Sequence, residues 1–573
     1  KGDDISYSIN VQSSTSAGNE DGLPEYVISN ASGNASNSKN ITWMSNPQKS
    51  DNKAIMQLAT KTEYDEKGEG AFKSIEGSSK VQSFLGSSDA SKNYSVRVNK
   101  VLATGLAKNT KYVYRVGDGK SWSEVKEFKT VRSGTNTNFF VIGDTQIANK
   151  ENIDKISEQL SKGNYSFGIQ TGDSVDDASV YSDWVDVLEM FGGSYLSGVD
   201  MIHVLGNHEY MGDLDGDAAK NIYNLPNDRR YSVEYGNVYV ATISYTTSRS
   251  QLKSDLEWLV QDAKNSKAKW KVFTMHQPAY YSNPSGSNEM INELVPSAVE
   301  EAGIDFVFSG HDHSYARTNP IKDGKVNENE GTVYYICGST GEKSYGVVNN
   351  KDFHFANAPT TDFDAIYLTA SATDSEFKVE THEADGTVID TYTKTKSSKG
   401  CVDGHDYIYD NEYLTCSRCG TSKELGKYTG FATDEKSNKK MYFIDGKFKT
   451  GWFTYGQSEV YHFGNDGLAH ELEVIKDTKT NCTERGYKVV KCKANNEEYT
   501  VKDVQPPGHD FQPVEQADGR IKYICTHKEY DCDAEGKYIG DEKIHLSYTK
   551  TTYNGNKKVP KVTVDGLTRG EDY

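Results

Sequence analysis

The 573-residue chain has no apolar run of 18 residues, so no stretch reads as a transmembrane helix. Positive charge is in deficit: 64 Lys and Arg against 83 Asp and Glu leave a net charge of −19. With no basic stripe to displace counterions, binding to a nucleic-acid backbone is excluded. Cysteine is nearly missing from the first 400 residues, where Cys337 stands alone. Cys401, Cys416, Cys419, Cys482, Cys492, Cys525 and Cys532 all lie in the last third, so the tail is built on different chemistry. The chain does not begin with Met and opens without a signal peptide, which reads as a leader already removed. These deficits, with 38 tyrosines and a polar surface composition, suggest an extracellular, bacterial-type protein of several domains.

What the chain does have is one recurring pattern. Phe139-Phe140-Val141-Ile142 runs into Gly143-Asp144-Thr145-Gln146, and Phe167-Gly168-Ile169-Gln170-Thr171 runs into Gly172-Asp173. Both are buried-strand signals ending in glycine and a carboxylate. Residues 150–160 between them carry Ile153, Ile156 and Leu160 at helical spacing, which predicts a β-α-β unit with parallel strands. Both aspartates then fall at the carboxyl edge of the sheet, where two carboxylates repel unless a cation lies between them. Three further apolar runs end in Gly206-Asn207-His208-Glu209, in His276, and in Gly310-His311-Asp312-His313. Carboxylates, an amide and imidazoles in this mixture suit first-row divalent metals or iron.

In chain order, residues 1–25 read as an extended leader and 26–131 as a small β-sandwich, with strand-like runs separated by turns. Residues 137–395 read as an α/β domain of two facing sheets flanked by helices. It includes a hairpin turning at Gly236 and a helix over 250–264. The order of Trp43, Gly105-Leu106, residues 112–117 and Phe128-Lys129-Thr130 resembles a fibronectin-type sandwich. A Cys-containing segment (400–427), aromatic hairpin repeats (428–470), a second Cys-containing segment (471–540) and the start of an interrupted β domain (541–573) follow, so a longer protein is expected. The repeats resemble those of bacterial cell-wall-binding modules, which implies Trp452, Tyr442, Phe443, Tyr461 and Phe463 as wall-ligand candidates. The alternative is that these rings stack to form the hairpins' own core. Cys416-x-x-Cys419 with Cys401 and His405 fits zinc or disulfides equally. For the second segment, with Cys482, Cys492, Cys525 and Cys532, disulfides are the plainer reading in a secreted protein.

The five motifs in order resemble the metallophosphoesterase superfamily. Gly310-His311-x-His313-x-Tyr315-x-Arg317-Thr318, His276-x-Pro278-x-Tyr280, and Tyr231-Ser232 before Tyr235-Gly236-Asn237 narrow the resemblance to purple acid phosphatases. The resemblance covers residues 26–395 and implies two metal ions sharing Asp173. One would also take Asp144 and His313, the other Asn207, His276 and His311. The pair would activate a hydroxide for attack on a phosphate monoester. His208 would protonate the leaving alkoxide, with Glu209 orienting it, while His203 reads as a buried, hydrogen-bonded histidine. Two departures matter. Asp176 stands where the family carries the tyrosine that binds ferric iron, so a ferric-tyrosinate centre is not expected and a divalent pair (Zn, Mn or Fe) is. Gln146 stands where other members often have histidine, and is a weak ligand or a water-positioning group. The implied protein is a secreted, wall-associated phosphatase acting on a phosphate ester. A phosphodiesterase or nucleotidase on the same site, and an adhesin with a vestigial phosphoesterase domain, are the alternatives.

Overall fold

The computed structural model describes residues 14–85, 93–132, 134–146, 150–193, 196, 198–282, 288–341, 343–345, 355–357, 365–396, 405–416, 422–456, 459–502, 506–517, 521–530, 532, 544–552, 555–565 and 568–569. Cys401, Cys419 and most of the predicted leader lie outside the described residues. The chain divides into two compact units, Lys1–His405 with Thr415–Lys423, and Asp406–Leu414 with Glu424–Tyr573.

In the first unit, Thr137–Ile142, the helix Lys150–Ser161 and Phe167–Gln170 form the predicted β-α-β unit, with the strands parallel in the register Phe139↔Phe167. Ile153, Ile156 and Leu160 are buried against the sheet, as their spacing requires. Asp200–His203 adds a further parallel strand, and Ile366–Ala372, Glu376–Glu383 and Val388–Thr395 complete this side antiparallel. A second sheet runs Arg230–Tyr235, Val238–Ile243, Trp270–Met275, Phe306–Ser309, Val333–Cys337, Tyr315–Thr318 and Phe355–Asn357. The inner faces of the two sheets share one core, in which Phe139 stacks on Phe167 at 4.6 Å between ring centroids. Helices Lys150–Ser161 and Tyr181–Gly192 cover the first sheet, and Arg249–Asn265 and Glu289–Ala302 cover the second.

The N-terminal strands form two packed sheets, one of which joins the catalytic domain. Glu25–Asn30, Lys39–Ser45 and Asn93–Ala103 continue the first catalytic sheet, through the parallel pairing of Asn30 with Met201. Only Lys73–Glu76, Ile55–Thr60, Lys111–Gly117 and Lys126–Lys129 make a distinct sheet, which packs on that extension through Trp43, Met56, Tyr114 and Phe128. Buried Asp200 seals the junction by pairing with Lys39 and accepting from Ser29 Oγ and, at 3.0 Å, from Tyr235 Oη. No local pattern could have announced this, because an edge strand reads the same whether its neighbour is solvent or another strand.

In the second unit, the hairpins Gly430–Asp434/Lys440–Ile444 and Gly451–Tyr455/Glu459–Phe463 form in the repeat region. Their aromatics pack on one another, Tyr442 on Phe453 at 4.4 Å and Phe431 on Tyr461 at 5.0 Å, and Trp452 stacks on Tyr499 of the later strand Glu498–Lys502 at 5.1 Å. Phe443 and Phe463 are buried and face no ligand, which corrects that expectation for these two. Trp452, Tyr442 and Tyr461 stay half-buried. In the second Cys-containing segment, Cys482, Cys492, Cys525 and Cys532 are unbridged, so the expected disulfides do not form among these four.

Candidate metal centre

Each motif residue follows the carboxyl end of a strand, three in the first sheet and two in the second: Asp144 after Thr137–Ile142, Asp173 after Phe167–Gln170, Asn207 after Asp200–His203, His276 after Trp270–Met275, and His311 and His313 after Phe306–Ser309. The loops turn sharply. Asp144 (φ +25°), Asp173 (φ +52°), His311 (φ +69°) and His313 (φ +34°) all sit in the left-handed region, which L-residues avoid unless their surroundings hold them there. The neighbouring glycines permit the close approach: a Cβ on Gly206 would overlap Asp173 Oδ1, and one on Gly310 would overlap Asp144 Oδ2.

The structure brings these side chains together in two overlapping sets. Asp173, His276 and His311 form one, and Asp144, Asp173 and His313 the other. Within each set the ligand atoms lie within 4.8 Å of one another. Asp173 belongs to both. His276 Nε2 is 2.9 Å from Asp173 Oδ2, and His313 Nε2 is 3.5 Å from Asp144 Oδ1. Outer hydrogen bonds fix the rings. His276 Nδ1 donates to the Thr171 carbonyl at 3.0 Å and His313 Nδ1 donates to the Lys343 carbonyl at 3.1 Å, which turns each Nε2 inward, toward the carboxylates. Asn207 Oδ1 is buried with no hydrogen-bond partner. A buried orphan oxygen at the end of a motif strand fits a metal ligand.

The electrostatics favour a cation. Burial pushes the Asp144 carboxyl well above the usual range. Burial pushes Asp173 the same way, but the adjacent His276 imidazole prevails and holds it at about 2. Asp173 in turn raises His276, against burial, to about 9. Burial lowers His311 to about 4, so it is neutral, the form that ligates.

Glu209 departs from its expected role. It is fully buried and accepts the main-chain N–H groups of Asp173 (3.0 Å), Ser174 (2.6 Å) and Gly206 (2.6 Å). It clamps two motif loops together, and the ring of His208 is held instead by the Asp176 carbonyl, which accepts from Nδ1 at 2.7 Å. His208 Nε2 lies 3.8 Å from Asp173 Oδ2. The Asp176 side chain is 47% exposed, with Oδ1 3.6 Å from His208 Nδ1. With its amide oriented to satisfy both ends, Gln146 donates to Asp173 Oδ2 at 3.2 Å and accepts from Lys343 Nζ at 3.1 Å. Its carbonyl therefore faces an ammonium and not the cluster. His203 is buried, as expected, stacked on Tyr223 at 3.6 Å with Nε2 3.2 Å from Asn30 Oδ1. Tyr315 and Arg317 both bind Asp390, tying the two sheets together.

Sequence reasoning missed the loop that follows Val333–Cys337. Ser339 Oγ donates to the Asp144 carbonyl at 3.0 Å and Thr340 N–H to the Gly143 carbonyl at 3.1 Å. The signal was present, since Cys337-Gly338-Ser339-Thr340-Gly341 is a fifth strand-then-glycine ending, after those at Gly143, Gly172, Gly206 and Gly310.

Comparison with known proteins agrees with this geometry. Residues 137–315 match the calcineurin-like phosphoesterase family model, and 24–130 match the model of the purple acid phosphatase N-terminal domain. Acid phosphatase type 7 of Mus musculus is 24% identical over 288 residues, covering 43% of this chain and 64% of its own length. Purple acid phosphatase 21 of Arabidopsis thaliana is 26% identical over 265 residues, covering 43% and 59%. The chain thus spans about three fifths of the length of these animal and plant relatives. The structure of purple acid phosphatase PPD1 from yellow lupin seeds superposes with a TM-score of 0.54 at 17% identity, over 65% of this chain and 74% of that one, which is a likeness of fold. The chain is thus similar to the purple acid phosphatase N-terminal domain over residues 24–130 and to calcineurin-like phosphoesterases over residues 137–315.

Proposed function

We propose that the chain is a metal-dependent phosphatase that hydrolyses phosphate monoesters at a dinuclear centre. One observation carries the reading: two ligand sets overlap at Asp173. The acid phosphatases among the relatives support the substrate class. Asp173 would be shared by the two ions; Asp144 and His313 would hold one, and Asn207, His276 and His311 the other. When bound, such ions supply Lewis acidity to the phosphate oxygens and lower the pKa of water. The chain's own residues do the rest. Thr171 and Lys343 hold the two imidazoles in the ligating tautomer, Gln146 orients the Asp173 carboxylate, and His208 delivers a proton to the departing alkoxide from Nε2.

The test is phosphate release from a monoester, a diester and a nucleotide with added Mn²⁺ or Zn²⁺, with metal analysis of Asp173→Asn. Monoester turnover that falls together with occupancy at both sites is expected. Diester preference would replace the substrate class. Normal turnover with two metals retained in the variant would overturn the bridging assignment.

Secretion and attachment to a wall polymer belong to the same proposal. They rest on the acidic charge and the half-buried rings of Trp452, Tyr442 and Tyr461. Among the described residues no helix is long and apolar enough to cross a membrane. Retention of the full chain, but not of Trp452→Ala, on cell-wall preparations is the expected result, and equal retention would remove the wall ligand.

A further inference from the structure

We propose that Cys482, His509, Cys525 and Cys532 form a structural zinc site in the tail, separate from the phosphoesterase centre. Their ligand atoms lie within 4.8 Å of one another. Cys482 Sγ and Cys525 Sγ are 3.8 Å apart, and Cys532 Sγ is 3.4 Å from His509 Nδ1. A tetrahedral zinc with bonds of about 2.3 Å to sulfur and about 2.0 Å to nitrogen has edges of about 3.8 Å between sulfurs and about 3.5 Å between sulfur and nitrogen. The spacing is that of ligands around a shared centre.

Backbone pairing assembles the four ligands. Phe511–Glu515 and Ile521–Cys525 form a hairpin that pairs Phe511 with Cys525, and the Thr526 N–H donates to the Asp510 carbonyl at 2.9 Å. His509 and Cys525 therefore emerge from the open end of one hairpin. Gly508, turned at φ +80°, donates its N–H to the Cys482 carbonyl at 2.9 Å, which brings in the third ligand. Cys532 follows the short helical turn Lys528–Tyr530. His527 also approaches Cys482 Sγ, at 3.6 Å, but its Nδ1 donates to the Gly508 carbonyl at 3.0 Å. A protonated nitrogen does not ligate a metal.

Two further observations favour a metal over disulfides. Three cysteines converge on one point, so a disulfide would leave one thiol and His509 unused. The segment also lacks a core of its own. Among the described residues of 471–532, the buried apolar side chains are Cys482, Val490, Cys492 and Cys525, whereas Val474 is 53% and Ile475 45% exposed. So small a core does not hold a fold without a cross-link. Three thiolates and one imidazole leave no open position, which marks a structural site.

The full chain, purified with zinc present, is treated with a thiol-specific mercurial while a zinc indicator reads release. None of the proposed phosphoesterase ligands is a cysteine, so mercurial-released zinc reports thiolate sites. We expect release from the wild type, about one equivalent less from Cys525→Ser, and wild-type release from His509→Cys, which keeps four ligands. If Cys525→Ser fails to fold, the wild type loaded with cobalt should show the visible bands of a tetrahedral cobalt thiolate. No release from the wild type, equal release from Cys525→Ser, cobalt without those bands, or a disulfide at Cys482, Cys525 or Cys532 in the unreduced protein would each overturn the site.

Discussion

Glu209 accepts the main-chain N–H of Asp173 at 3.0 Å, and through the same oxygen that of Gly206 at 2.6 Å, so one buried carboxylate positions both Asp173 and the loop bearing Asn207. Glu209→Gln would turn an amide N–H toward backbone donors or leave one unpaired. We expect a stability loss of about 1–3 kcal/mol and weaker metal retention. Thermal unfolding and metal analysis check it. A stable, fully loaded variant with an altered pH–rate profile would return Glu209 to orienting His208.

His208 holds its Nδ1 proton on the Asp176 carbonyl, so Nε2 is the atom that can pass a proton. A general acid matters most for poor leaving groups. His208→Ala should slow alkyl phosphates by about 10²- to 10⁴-fold and nitrophenyl phosphate far less, with metals retained. Equal losses on both substrates would remove the role.

Asp176 stands where the resemblance to purple acid phosphatases implies the tyrosinate ligand, and Tyr181, the next tyrosine in the chain, is stacked on Tyr94 at 5.5 Å. Tyr223 is committed as well, donating to Ser174 Oγ at 2.6 Å. The iron-loaded protein is expected to be colourless in air. A strong visible band would require another tyrosine at the metal.

His203 gives a pH dependence of folding. Burial lowers its folded pKa to about 3, below the ordinary value of 6.5. The unfolded chain therefore binds the extra proton first as pH falls through 6.5, and stability drops down to about pH 3. Between pH 7 and pH 5 the loss is about 2 kcal/mol. Denaturant titrations of wild type and His203→Gln should show a shallower pH slope in the variant. Identical slopes would mean that His203 stays neutral in both states.

The sequence by itself determined the elements and the chemistry at their ends. The apolar runs before Asp144, Asp173, Asn207, His276 and His311 had to be buried strands, and the spacing of Ile153, Ile156 and Leu160 had to be a helix, because burial follows period. It did not determine what each side chain meets. Glu209 looked like a partner of His208 because they are adjacent, yet its carboxylate bonds Asp173 and Ser174, about 35 positions away. The tertiary structure also decided that Asn30 pairs with Met201, fusing the N-terminal strands to the catalytic sheet, and that Cys482 meets Cys525 and Cys532. Periodicity reports whether a face is buried. Only long-range packing chooses the partner, since backbone hydrogen bonds and thiolates carry no label of the residue they will meet.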